Sequence, residues 1–300
     1  MPSILHAQRA AAALLTAAVA SLATLQTGTA EAAPAHSVPT AEARAAGVKP
    51  GEATMGWRQQ SPTVGRSAPS SPAQRSSDPS SSSTAAATKA FVPTGVLGID
   101  VSSWQGTVNW TAHAKAGKQF AYVKATEGIR YKNPYFARQY KGAHQAGLIR
   151  GAYHFATPHS SGGTKQAQVF ARSGGGWSAD GRTLPGVLDI EYNPYGATCY
   201  GKSQAKMVAW IRDFTTEYKR LTRRDAVIYT TTDWWRTCTG NTAAFSTTNP
   251  LWLARYGTSV GTLPGRWGWA TFWQYTNVPI DQNRFSSTRT RLLALANNTP

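Results

Sequence analysis

Short apolar runs rich in β-forming residues alternate with helix-like stretches from residue 91 to residue 300. One predicted helix spans residues 133–146, with Pro134 near its start and Gly147 just beyond its end, and a second spans residues 202–221. This alternation predicts an α/β fold with largely parallel strands. A closed or nearly closed TIM-like barrel is favoured over a doubly wound sheet, because no glycine-rich phosphate loop follows the first strand. The strand-like runs are VLGIDVS, FAYVKA, LIRGAYHFA, PGVLDIE, AVIYTT, PLWLARY and ATFWQYT.

The sequence before this region has a different composition. Residues 1–32 resemble a secretory signal peptide, since a basic residue precedes an apolar stretch and Ala30-Glu31-Ala32 offers a cleavage site. Residues 33–90 consist mainly of Ala, Ser, Pro, Thr and Gly, and we expect a disordered tether or pro-segment without fixed secondary structure. The mature protein is therefore expected to be secreted and extracellular, with a single folded domain over residues 91–300. No stretch outside the N-terminus is apolar enough to predict a membrane span.

Basic residues far outnumber acidic ones. The chain carries 31 Lys and Arg against 14 Asp and Glu, a formal net charge of +17, and residues 91–300 alone hold 24 basic and 10 acidic side chains. Such an excess predicts an anionic partner, which could be a nucleic acid, a membrane surface or a bacterial wall polymer. The basic residues are scattered without a recognisable nucleic-acid motif, and this disfavours nucleic-acid binding.

Three carboxylates lie inside apolar strand-like runs. Asp100 follows Val-Leu-Gly-Ile, and Asp189 and Glu191 lie in Val-Leu-Asp-Ile-Glu. A charge in an apolar strand is costly unless it is paired or faces a solvent-filled cavity. Residues i and i+2 of a strand share a face, so Asp189 and Glu191 should project together, and their repulsion should keep a proton on one of them. That arrangement suits glycoside hydrolysis, although an ion pair buried in the barrel is the alternative.

The sequence resembles the lysozymes of glycoside hydrolase family 25. Seven fragments occur in the family's order and together cover essentially the whole predicted domain. They are Gly98-Ile-Asp-Val-Ser-Ser-Trp-Gln-Gly106, Val123-Lys-Ala-Thr-Glu-Gly128, Gly151-Ala-Tyr-His-Phe155, Val187-Leu-Asp-Ile-Glu191, Trp252-Leu-Ala-Arg-Tyr256, Trp273-Gln-Tyr275 and Ile280-Asp-Gln-Asn-Arg-Phe285.

The resemblance implies a modified, irregular β/α barrel that cleaves the β-1,4 bond between N-acetylmuramic acid and N-acetylglucosamine in peptidoglycan. It implies that Glu191 donates a proton to the leaving oxygen. Asp189 and Asp100 are expected beside the anomeric carbon and the acetamido group, and Asp281 would complete the acidic floor of the cleft. The nucleophile stays open between a carboxylate and the acetamido oxygen, and we favour acetamido assistance with retention.

Further candidate substrate contacts each have a structural alternative. Glu127 is expected in the cleft rather than in a plain loop, and Lys124 is expected to hold nearby carboxylates ionised. Tyr153 is a candidate hydrogen-bond partner of the sugar, and His154 beside it is either a supporting or a merely packed residue. Gln105 completes the Trp-Gln-Gly turn and is a candidate sugar contact. For the candidate stacking residues the alternative is core packing; they are Trp104, Trp252, Trp273 and Tyr275.

Cys199 and Cys238 are the two cysteines of the chain, and we place both in loops. Export and an even count favour a disulfide between them. Closing a loop of roughly 40 residues would stabilise the fold by about 3–4 kcal/mol in the chain-entropy model. The absence of His-rich ligand spacing predicts no metal site, and we expect no cofactor.

The sequence therefore predicts a secreted, monomeric muramidase that acts on peptidoglycan and meets the anionic polymers around it. Two other functions stay open. A chitinase-like hydrolase also carries Asp-x-Glu at the end of a barrel strand, and a cationic wall-binding protein without catalysis would show the same charge.

Overall fold

The computed structural model describes residues 38–50, 52–59 and 92–300. The predicted signal peptide lies outside the described residues. Nine strands form one sheet. They are β1 (Val96–Val101), β2 (Phe120–Glu127), β3 (Tyr131–Lys132), β4 (Ile149–Phe155), β5 (Val187–Asp189), β6 (Val227–Thr230), β7 (Leu251–Ala254), β8 (Phe272–Thr276) and β9 (Gln282–Phe285).

The sheet closes into a barrel. Its ring order is β1-β2-β4-β5-β6-β7-β8-β9, and β1 completes the ring by pairing with both β2 and β9. All neighbours are parallel except β9, which runs antiparallel to β8 and to β1. The short β3 forms a hairpin on β2 outside the ring. The predicted irregular α/β barrel is confirmed.

Seven α-helices accompany the described strands. The predicted helix over 133–146 begins later, because the Asn133 side chain accepts a hydrogen bond from the Tyr135 backbone and holds a turn there. The long predicted helix begins after Ser203, whose hydroxyl caps it by accepting from the Lys206 N–H. The helices are α1 (Ala41–Ala45), α2 (Trp110–Lys115), α3 (Phe136–Gln145), α4 (Gly163–Phe170), α5 (Gln204–Thr222), α6 (Thr232–Thr239) and α7 (Arg289–Asn297).

The barrel interior is filled by aromatic rings, here called the aromatic floor: Phe120, Tyr122, Tyr229, Trp252 and Phe272. The Trp252 ring lies 4.9 Å from that of Tyr122, 5.4 Å from that of Tyr229 and 5.6 Å from that of Phe272, measured between centroids. Leu292 and Ala296 of α7 belong to the same buried cluster and close the amino-terminal end of the barrel. The opposite end, where the parallel strands finish, is left for polar groups.

A disulfide joins Cys199 to Cys238 outside the barrel. The pairing expected from export and cysteine count is confirmed. Cys199 follows β5, whereas Cys238 lies in the last turn of α6 rather than in a loop. The bond therefore fastens the region after β5 to the helix after β6.

Part of the stretch 33–90 differs from the expectation of no fixed secondary structure. Residues 41–45 form α1, capped by the Thr40 hydroxyl. Residues 52–59, here called the cleft segment, pack against the barrel with Ala53, Met55 and Trp57 buried. The order arises because these apolar side chains find buried surface on the domain, which the composition alone did not show. None of the helices within the described ranges is long and apolar enough to cross a membrane.

Candidate active site

Asp189 and Glu191 meet at the carboxyl end of β5. Val187 belongs to the interior cluster and Leu188 to the cluster under the helices, so the alternation of the strand turns Asp189 inward. Both carboxyls are 0% exposed and lie within hydrogen-bonding reach of each other. Within the described part of the chain, no N–H or hydroxyl donates to either Asp189 oxygen or to Glu191 Oε2.

This pair retains a proton at neutral pH. Burial raises the pKa of Glu191 to about 8. Burial and the neighbouring Glu191 charge raise the pKa of Asp189 well above its usual range. Because two carboxylates in contact cannot both be ionised without large repulsion, one proton shared between them is the stable state.

Asp100 lies on β1, which β4 and β2 separate from β5 in the ring. Its Oδ2 accepts hydrogen bonds from Asn283 Nδ2 at 2.6 Å and from Gln274 Nε2 at 3.0 Å. Burial raises its pKa to about 6, and the two amides oppose that rise because they favour the ionised form. Asp281 lies beside it and accepts from the Tyr256 hydroxyl. Burial and the Asp100 charge raise the pKa of Asp281 well above its usual range.

A buried cation lies on β2, between β1 and β4 in the ring. Lys124 Nζ contacts Glu127 Oε2 at 2.5 Å, and both side chains are almost fully buried. The Tyr195 hydroxyl donates to the other Glu127 oxygen. The expected ion pair of Lys124 is thus with Glu127, and its positive charge also opposes the rise in the pKa of Asp189. Tyr153 is buried among Asp100, Asp189 and Asp281, and burial and these charges raise its pKa well above 10.

Trp252 differs from the expected stacking residue. It is 0% exposed within the aromatic floor, and its Nε1 donates to Asn283 Oδ1 at 3.0 Å. It therefore supports the amide that binds Asp100 instead of presenting a ring to a ligand. The core-packing alternative holds at this position.

Trp273 and Tyr275 also differ from that expectation. Phe272 and Gln274 point into the barrel. Because side chains alternate along a strand, Trp273 and Tyr275 face the outer side of β8. Both are nearly buried there, and the Arg284 guanidinium lies 5.6 Å from the Trp273 ring. These aromatic side chains cover the outside of the barrel, where no carboxylate of the cluster lies.

The Ser-Trp-Gln turn, residues 103–105, lies at the rim. Trp104 is 44% exposed, which fits a sugar-stacking residue. Gln105 has a structural task, because its Oε1 accepts from the Ser102 N–H at 2.7 Å and closes a capping box. His154 is a packed residue: its ring stacks on Phe214, and burial lowers its pKa to about 4.

Four polar residues of the site escaped prediction from the sequence: Gln274, Asn283, Tyr195 and Tyr256. A usable signal existed for Gln274, because it is an amide inside a predicted buried strand and therefore needs a partner. Asn283 gave no such signal, because β9 is too polar to be recognised as a strand. The two tyrosines gave no signal, because their approach to carboxylates depends on loops. No cluster of three or more His, Cys, Asp or Glu suited to a metal ion is found within the described ranges.

The arrangement places a protonated carboxyl pair beside an amide-held carboxylate at the open end of a barrel. Such groups can donate a proton and stabilise developing positive charge. Residues 99–283 match the family profile described as Glycosyl hydrolases family 25. This chain belongs to that family. The predicted membership is confirmed, and with it the prediction that the protein is a glycoside hydrolase.

Relatives of this family 25 hydrolase carry matching names. Lysozyme M1 of Streptomyces globisporus is 47% identical over 93% of this chain and 92% of its own length. N,O-diacetylmuramidase of a Chalaropsis species is 49% identical over 61% of this chain and 89% of its own. The crystal structure of the bacterial lysozyme from Streptomyces coelicolor aligns with a TM-score of 0.68 and 53% identity, covering 69% of this chain and 99% of that one.

Proposed function

We propose that this family 25 hydrolase is a peptidoglycan muramidase that cleaves the β-1,4 bond between N-acetylmuramic acid and N-acetylglucosamine, with Glu191 as the proton donor. The observation that carries the proposal is the buried Asp189–Glu191 pair, which holds a proton at neutral pH. Cleavage of a glycosidic bond needs such a proton, because the departing sugar oxygen is a poor leaving group.

Glu191 donates its proton to the glycosidic oxygen as the bond breaks, and the anomeric carbon gains positive charge. Asp189 and Asp100 flank that carbon and the acetamido group, and Asp281 adds to the acidic surroundings. Two amides hold Asp100 in place, so its charge needs no reorganisation during the reaction. Lys124 and Glu127 bind polar groups of the sugar beside Tyr153, and Trp104 stacks on a ring at the rim.

The acetamido oxygen of the substrate is the proposed nucleophile, with retention of configuration. The closeness of Asp189 and Glu191 supports retention. An inverting pair needs roughly 6.5–9.5 Å between its carboxyls to admit a water molecule, and two carboxyls that share a proton lie too close for that. Asp189 then orients the acetamido group and stabilises the charge that it acquires.

Secretion, a monomeric state and attraction to anionic wall polymers belong to the same proposal. The 24 basic and 10 acidic residues over 91–300 support an attraction to such polymers, and salt should weaken it. Binding to purified walls, measured by sedimentation at increasing NaCl, tests this part separately from catalysis.

The decisive experiment identifies the reducing ends released from purified peptidoglycan by residues 91–300. Muramic acid at the new ends supports the proposal. Glucosamine ends, or faster hydrolysis of chitin, would favour the chitinase-like alternative. Glu191→Gln should lower the rate by orders of magnitude while Glu217→Gln, a change of the same type on α5, leaves it intact. Wall binding without release of any reducing ends would favour the non-catalytic alternative.

A further inference from the structure

The cleft segment (residues 52–59) fills the mouth of the barrel with buried side chains. Ala53 is 0% exposed, Met55 2% and Trp57 8%. Met55 belongs to the same buried cluster as Tyr153 and the aromatic floor, so its side chain reaches into the barrel interior. Part of the burial of the carboxylates is therefore supplied by this segment.

The backbone of the cleft segment binds the polar groups assigned above to catalysis and substrate binding. The Gly56 N–H donates to Glu191 Oε1 at 2.6 Å, and the Ala53 N–H donates to Glu127 Oε2 at 3.0 Å. The Ala53 carbonyl accepts from Lys124 Nζ. Each hydrogen bond occupies an atom that the proposed mechanism needs for the sugar, so substrate and segment exclude each other.

Gly56 fits its position because it has no side chain. A Cβ there would lie 2.7 Å from Gln274 Oε1, 2.8 Å from the Tyr256 hydroxyl and 2.9 Å from the Tyr229 hydroxyl. Its φ of +66° also lies in the left-handed region that favours glycine. The contact with Glu191 is thus a close fit of backbone against the site.

Contacts outside the carboxylate cluster anchor the segment on both sides of the mouth. Trp57 Nε1 donates to the Tyr192 carbonyl at 2.9 Å, and Trp104 Nε1 donates to the Glu52 carbonyl at 3.2 Å. The Thr40 N–H, next to α1, donates to the Pro194 carbonyl at 2.8 Å. Trp104, the exposed candidate for sugar stacking, is therefore also engaged.

The Gly56 contact also acts on the protonation of the acid. An N–H that donates to a carboxylate favours the ionised form, so this hydrogen bond lowers the pKa of Glu191 against the rise caused by burial. The segment thus covers the acid, and its N–H offsets only part of the rise in the pKa of Glu191 that burial causes.

We propose that residues 38–59 are a built-in inhibitor, which keeps the exported hydrolase latent until an external endopeptidase cuts the chain between residues 59 and 92. The inference rests on the proposed function, since the blocked groups are those of the proposed site. The cut is hydrolysis of one peptide bond: water adds across the C–N bond and leaves a new carboxylate and a new amine. The fragment that contains residues 38–59 is then no longer tethered to the barrel and dissociates from it on dilution.

The test uses the chain over residues 33–300, with residues 76–82 replaced by the recognition sequence of a site-specific endopeptidase. The chain folds before it is cut, so residues 38–59 are present throughout folding. Release of reducing ends from peptidoglycan is measured before and after the cut at high dilution. We expect a rise of about tenfold or more, since the tethered segment loses its effective concentration.

Single substitutions test the same point without cutting. Gly56→Ala should raise the rate of the uncut chain by about tenfold or more, because overpacking and left-handed strain both displace the segment. Gly147→Ala is the matched control: its φ is +85° and a Cβ there meets no atom within 4 Å. The control should stay as latent as the parent chain. Equal rates for the parent, Gly56→Ala and the cut chain would overturn the proposal.

A synthetic peptide of residues 38–59 separates this inference from the proposed function. Added to the cut and purified barrel, it should inhibit competitively with the glycan, while the Gly56→Ala peptide should not. If the cut barrel released no reducing ends at all, the proposed function would fail, and fluorescence anisotropy of a labelled peptide would still report occupancy. Absence of peptide binding to the barrel would overturn the inhibitor in either case.

Discussion

Replacing Glu191 by Gln should stabilise the folded protein at neutral pH while it abolishes activity. The folded protein holds a proton on Glu191 up to a pKa of about 8, whereas the ordinary value is 4.5. Between those values the unfolded chain releases a proton that the folded chain keeps. A group whose pKa is raised on folding contributes stability that is complete below its unfolded pKa and is lost as the pH rises towards its folded pKa.

The change in the free energy of unfolding follows from the difference between the folded and unfolded pKa of Glu191. Each pH unit between 4.5 and 8 lowers the free energy of unfolding by about 1.4 kcal/mol for one retained proton. At pH 7 the wild-type protein has therefore lost about 3 kcal/mol through this group. Gln has the shape of protonated Glu and cannot ionise, so Glu191→Gln avoids the loss. The variant should match the wild type near pH 4 and exceed it by about 3 kcal/mol at pH 7.

Urea unfolding at half-unit steps from pH 4 to pH 8 measures this difference. Glu217→Gln is a control of opposite sign, because hydrogen bonds from Arg220 lower the pKa of Glu217 to about 2. A lowered pKa contributes stability above the unfolded value that disappears as the pH falls, so this control should lose stability at pH 7 and recover towards pH 2. A difference between wild type and Glu191→Gln that stays flat from pH 4 to pH 8 would refute the retained proton.

Three further predictions concern the surroundings of the pair and the stability of the fold. Asn283→Leu removes a hydrogen bond to the Asp100 carboxylate that is worth about 1.5–3 kcal/mol. The acid limb of the pH–rate profile should therefore move up by about one to two pH units. If the limb did not move, activity would not require Asp100 to be ionised. Replacing Cys199 and Cys238 by Ser should lower the free energy of unfolding by about 4 kcal/mol in urea titrations, and an unchanged midpoint would contradict the loop-closure argument. Lys124→Met should lower the free energy of unfolding by about 3–5 kcal/mol, because it leaves the buried Glu127 carboxylate without a cation. Adding Glu127→Leu to that variant should restore most of the lost stability in the same urea titration.

The parts of the fold with a strong local pattern could be predicted from the sequence. β1, β2, β4 and β5 coincide with apolar runs, and α5 has apolar residues at helical spacing. The inward direction of Asp189 followed from the period of two residues in a strand. Each of these depends on neighbours along the chain, which the sequence supplies directly.

Features that depend on distant contacts could not be predicted in this way. β9 is too polar to be recognised as a strand, and its order arises from pairing with β1 and β8. The outward direction of Trp273 depends on Gln274 facing Asp100, a contact across 174 positions of sequence. Residues 52–59 carry three apolar side chains at alternate positions, a pattern too short to stand out within a polar stretch.

The antiparallel last strand has a consequence for biosynthesis. β9 supplies Asn283, the position before it supplies Asp281, and α7 behind it closes the far end of the barrel. While a nascent chain has not reached these residues, β1 and β8 each present an unpaired edge, and exposed edges promote association between chains. Ring closure joins residues nearly two hundred positions apart, which is slow compared with local folding. Synthesis from the amino end therefore produces the cleft segment first, and it produces Asp281 and Asn283 of the carboxylate site last.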